Sequence, residues 1–135
     1  MSFREKSAWI QIIAIVLVYG YYGLSLLRAA PTPLGAIATL IGSTILMIMV
    51  SVAGHIAIMI GQKPELLDER DQLVGLRSTR NGFHALAAAV WAVIFLAIAR
   101  PDPILLAYAA LGGFVLAELV RLASQLVYYR TVAWA

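Results

Sequence analysis

Cysteine is absent from this chain of 135 residues. Its absence excludes disulfides, thiolate metal sites and cysteine catalysis. Charge is also scarce: Asp, Glu, Lys and Arg make up 13% of the residues, against 62% hydrophobic. There is no His-Glu-x-x-His or His-x-x-Glu spacing, no phosphate-binding glycine loop, no Ser/His/Asp order and no nucleic-acid motif. Membrane transferases built on acidic clusters need a second, spaced aspartate pair, which "DERD" at 68–71 lacks. The expectation is a protein that is not an enzyme, carries no cofactor and makes no direct contact with nucleic acid. Its net charge of +3 fits anionic lipid headgroups better than nucleic acid.

What the chain has is long apolar runs, at 9–27, 34–60, 83–99 and 104–129. Each is near or above the roughly 17–25 residues that cross a bilayer as a helix. Short links leave no room for a soluble domain, so residues 1–135 are expected to form one all-α integral membrane domain of four transmembrane helices. Arg4 and Lys6 make a basic start, but the first run is long for a signal peptide and no small-x-small site precedes Pro31, so the helix is expected to be retained. Placing both termini in the cytoplasm puts Arg4, Lys6, Lys63, Arg70, Arg77, Arg80 and Arg130 there, and only Arg28 and Arg100 outside. The positive-inside rule favours that orientation, as a multi-pass protein of a bacterial inner membrane.

The two halves resemble each other. "RAAPTPLGAI" (28–37) and "RPDPILLAY" (100–108) each join an arginine, a Pro-x-Pro and an aliphatic opening to the next span. Pro31 and Pro33 match Pro101 and Pro103 at an offset of 70, and Gly42, Leu46 and Val50 then meet Gly112, Leu116 and Val120. This predicts two pseudo-repeated helical hairpins in parallel orientation; an Ala/Leu/Val-rich composition also makes such matches cheap. Small residues at Ala38/Gly42, Ala109/Gly113/Ala117, Ala85/Ala89 and Ala88/Ala92 allow close helix approach, within one bundle or across a homodimer.

The charge that exists is gathered at 63–81. Pro64 and Glu65 open an expected amphipathic, interfacial helix between spans two and three, with acids early and Arg77 and Arg80 late, as the helix dipole prefers. It is expected to run on toward Phe83, with Asn81–Gly82 the place for a bend. Asp68, Glu69, Arg70, Asp71, Arg77 and Arg80 are the candidate partner-binding residues, although a solvated or lipid-facing charge run needs no partner. Counting depth along the helices brings a second set to the cytoplasmic end: Ser51, His55, His84, Glu118, Arg121, Ser124 and Gln125. Glu118 is a functional candidate because intramembrane carboxylates are costly; Arg121 at i+3 offers a structural alternative. His55 and His84 leave a shared metal or haem open, with no ligand spacing to support it.

"MSFREKSAWI", "DERDQLVGLRSTR" and "AELVRLASQLVYYR" resemble a family of small four-span proteins of unknown function, mainly from proteobacteria. Those proteins carry Asp-Glu-Arg-(Asp/Glu), then an aliphatic pair and an arginine. They are often companions of small helix-turn-helix regulators, so the resemblance implies a cytoplasmic regulatory partner and no catalytic residue. Two readings follow: a non-enzymatic regulatory or interaction protein that engages a partner through 65–80, or a small oligomeric transporter or ligand-binding protein with Glu118 as its intramembrane carboxylate.

Overall fold

An apolar chain segment in lipid must satisfy its own backbone groups, which a helix does within one segment. The computed structural model, which describes residues 3–28, 32–61 and 69–131, is accordingly all-helical. Its elements are α1 (Phe3–Arg28), α2 (Pro33–Gly61), α3 (Glu69–Ala99) and α4 (Pro103–Thr131). All four are long and apolar enough to cross a membrane, as in a multi-pass membrane protein. At 26 to 31 residues each, they measure about 39–46 Å at a rise of ~1.5 Å per residue. That exceeds a hydrocarbon core of ~30 Å, so in a bilayer they must tilt or extend beyond it.

Two helix starts are built alike. Thr32 caps α2 through Gly35 N–H to Thr32 Oγ1 at 3.1 Å, with Pro33 in the first turn. Asp102 caps α4 by accepting from Ile104 N–H at 2.9 Å and Leu105 N–H at 3.3 Å, with Pro103 next in line. Proline suits this position because the first-turn N–H has no helical partner to lose. The likeness does not extend to packing: α3 lies against α4 far more extensively than α1 against α2.

The charged segment is not a separate element where it is described. From Glu69 onward it forms the first turns of α3, which runs as one helix through Asn81 and Gly82. Glu69 and Asp71 sit in the first turn, where their charge suits the positive end of the helix dipole. The opening of the expected interfacial helix, including Asp68, lies outside the described residues.

Two antiparallel hairpins, α1/α2 and α3/α4, meet through α1 against α4, with a brief contact between α2 and α4. Among the described residues the backbone of α3 comes close to α4 alone. The central core joins Ala8 and Ile15 of α1 to Leu122 and Leu126 of α4, with Ile12, Tyr19, Met47, Val115 and Leu119 packed around it. Ala8, Ile12, Ile15 and Tyr19 follow a four-three-four spacing that makes one helical stripe.

Close helix approach falls at glycines. A Cβ on Gly82 would lie 2.8 Å from Arg121 Cβ and 3.3 Å from the Ala117 carbonyl oxygen; on Gly113, 2.7 Å from Ala89 Cβ; on Gly54, 2.6 Å from Ile10 Cγ2. Ala89, Gly113 and Ala117 therefore seat α3 on α4 within one chain, while Ala38, Ala88 and Ala92 are exposed. The outer surface carries large apolar side chains on every helix, among them Leu17, Ile48, Phe95 and Leu116. Such a surface belongs in lipid rather than water.

Candidate interaction site at the charged end

Side-chain contacts bring the start of α1, the end of α2, the start of α3 and the end of α4 together. Polar residues concentrate there, and they sort into four separate groups rather than one cluster.

The first group holds the end of α4. Arg70 Nη2 donates to the Tyr129 carbonyl at 2.8 Å, and the Tyr129 hydroxyl donates to Asp71 Oδ1 at 2.9 Å. Arg4 of α1 approaches the other carboxylate oxygen of Asp71 at 3.7 Å. Tyr129 itself is buried. Arg70 and Asp71, expected as docking residues, thus serve as an internal clamp across α1, α3 and α4.

The second group is the Glu118–Arg121 pair. Arg121 Nε donates to Glu118 Oε2 at 2.9 Å, and Nη2 donates to Oε1 to complete a two-pronged bridge. Nη2 also reaches Gln11 Oε1 of α1 at 3.4 Å. A planar guanidinium matches a carboxylate with two parallel bonds, which makes this one of the stronger polar pairings available. Glu118 is neutralised by its own helix and linked to α1.

The third group surrounds His55. Its Nδ1 lies 2.7 Å from the Ser51 carbonyl oxygen and its Nε2 lies 2.8 Å from Ser7 Oγ. A carbonyl can only accept, so Nδ1 carries a proton and donates to Ser51, while Nε2 and the Ser7 hydroxyl share the second hydrogen bond. Both ring nitrogens are engaged within the protein. His84 sits elsewhere, exposed on α3 beside Phe83 with ring centroids 6.2 Å apart. The two histidines are therefore not brought together, and among the described residues no three of His, Asp and Glu converge on a point.

The fourth group ties α3 to α4: Asn81 Nδ2 donates to Ser124 Oγ at 3.1 Å and to the Tyr128 hydroxyl at 3.0 Å. Gln125 is half-buried near Tyr129.

Comparison with known proteins adds no relative. The chain matches no family model, no curated protein and no solved structure. Its function has to be read from these residues.

Arg77 and Arg80, also expected as docking residues, are exposed and enter none of these four groups. Val74, Ser78 and Gly82 are buried on the face of α3 turned toward α4, so Arg77 and Arg80 point the other way and are exposed. Leu73, Leu76, Phe83 and His84 are exposed on that same outward side. The apolar stripe of the segment therefore faces away from the protein, interleaved with two guanidinium groups. Sequence spacing alone had left out Arg4, Ser7, Gln11, Asn81, Tyr128 and Tyr129, which hold the polar groups in place. Tyr128–Tyr129 beside Arg130 was the available signal, because a tyrosine with a buried body and a bonding tip commonly closes a helix end.

Proposed function

We propose that this is a non-enzymatic regulatory or interaction protein of the bacterial inner membrane, with both termini cytoplasmic, that engages a cytoplasmic partner through its 65–80 segment. The observation that carries the reading is the outward face of α3, where exposed Leu73, Leu76 and Phe83 alternate with exposed Arg77 and Arg80. An acidic, amphipathic partner surface complements such a face. Arg70 and Asp71 support it from behind, because the clamp on Tyr129 and Arg4 keeps the segment helical and oriented. The resemblance of Asp68–Arg80 to the loop element of small four-span proteins points the same way. The alike caps at Thr32 and Asp102 support a parallel pseudo-repeat as the origin of the two hairpins. The transport reading draws less support, since Glu118 is already paired with Arg121.

The test is gentle isolation of the tagged full-length protein from its native membrane, followed by intact-complex mass spectrometry and proteomics. The expected result is a soluble partner in fixed ratio with the wild type, lost from the Arg77→Glu/Arg80→Glu double variant and kept by Gln72→Ala. Circular dichroism should show the same helix content in all three. Isolation of a bare protein, or full retention of the partner by the double variant, would refute the reading.

A further inference from the structure

In the half of the molecule away from the charged end, α1, α2 and α4 flank a half-open cavity of about 250 Å³. Tyr19, Tyr22 and Gly23 line it from α1, Thr39 from α2, and Tyr108 and Gly112 from α4. Two features distinguish it from a packing flaw. Gly23 and Gly112 are not needed for helix contact: a Cβ at either would meet nothing within 4 Å. Gly54, Gly82 and Gly113 admit a neighbouring helix, whereas here two missing side chains leave space. The second feature is polar. The Tyr108 hydroxyl is closed off from water and has no hydrogen-bond partner among the described residues, although buried hydroxyls are nearly always bonded.

We propose that this cavity binds a lipid-soluble molecule of one or two fused rings bearing ring carbonyls, the chemistry of a small quinone. Size sets the upper limit: a cavity of roughly 150 Å³ takes benzene, and drug-sized sites begin at about 300 Å³. Three tyrosine rings give apolar walls suited to a flat molecule. Tyr22 and Thr39 stand on the same walls, and a turn of the Tyr108 side chain toward the cavity gives its orphaned hydroxyl, now shut away from it, a carbonyl to donate to. An acyl chain fills the space without satisfying that group. The site is independent of the outward face of α3, and neither depends on the other being occupied.

The measurement is calorimetric titration of the full-length protein in lipid nanodiscs with 1,4-naphthoquinone, with naphthalene as the ring lacking carbonyls, and with protein-free nanodiscs subtracted. Saturable, one-to-one binding of the quinone is expected, tighter than naphthalene. Tyr108→Phe should weaken the quinone about fivefold to tenfold, the worth of one hydrogen bond, and leave naphthalene unchanged. Gly112→Leu should abolish binding of both while the protein keeps its helix content. Binding no greater than to protein-free nanodiscs overturns the proposal. So does equal affinity for quinone and naphthalene, insensitivity of the quinone to Tyr108→Phe, or survival of binding in Gly112→Leu.

Discussion

Replacing Gly82 by alanine tests whether α3 is seated on α4 by direct backbone approach. The added Cβ would fall 2.8 Å from Arg121 Cβ and 3.3 Å from the Ala117 carbonyl oxygen. Carbon atoms rest at about 3.5–4.0 Å, so the helices must part by roughly 0.7–1.2 Å. Neither obstacle is the loose end of a side chain that could swing aside. Overpacking of this kind costs about 1–3 kcal/mol. Parting also stretches the bonds of the adjacent Asn81, now 3.1 Å to Ser124 and 3.0 Å to Tyr128, toward the length where they fail. Such bonds are worth about 0.6 kcal/mol each between membrane helices. The better helix propensity of alanine returns up to ~1 kcal/mol, which leaves a net destabilisation of about 1–3 kcal/mol. Gly75→Ala is the matched control, on the same helix but with nothing within 4 Å of the new Cβ. The assay is reversible unfolding in mixed micelles by rising detergent fraction, followed by circular dichroism. Gly82→Ala should unfold earlier than the wild type, and Gly75→Ala at the same point or later. If the two variants behave alike, the close approach of α3 and α4 is wrong.

The remaining predictions concern the polar groups. Glu118→Gln should destabilise by about 1–2 kcal/mol in the same assay, because it leaves the Arg121 guanidinium half-buried without a counter-charge. Adding Arg121→Met should recover most of that loss, and a double variant worse than the single would show that the pair is not the cause. The cysteine-free chain also accepts engineered pairs without background. Asn81→Cys with Ser124→Cys should form a disulfide under mild oxidation, whereas His55→Cys with His84→Cys should not; the reverse pattern would overturn the separation of the histidines.

The spans were legible because hydropathy alone demands them: expected starts at 34 and 104 fall one residue after the Pro33 and Pro103 that open α2 and α4. The prolines themselves marked those starts, whereas the caps at Thr32 and Asp102 come from the structure. Other features depend on which helices are neighbours, and that is not written locally. Counting depth placed His55 and His84 toward one end but could not reveal that, among the described residues, the backbone of α3 does not approach α2. The unbroken helix through Asn81–Gly82 was hard to read for a similar reason. Gly82 looks like a breaker in isolation, yet it serves as the flat place where α4 lies. Arg70 and Asp71 looked like surface charge until the far end of the chain supplied Tyr129 as their partner. The Glu118–Arg121 pairing was readable because both partners lie three residues apart on one helix.

The neighbour order has a consequence for how the protein is made. α3 rests on α4 alone among the described helices, and α4 follows the other three in synthesis. Until it arrives, α3 sits in the bilayer with its seat of Gly82 and Ala89 unoccupied, and Asn81 without the two hydroxyls it later binds. Leu122 and Leu126, which complete the core around Ala8 and Ile15, are missing for the same interval. A chain that stalls or is clipped before Pro103 therefore strands both earlier pieces at once. Synthesis of α4 is the step that turns three inserted helices into one protein, and truncated products should be conspicuous to the membrane proteases that clear unassembled helices.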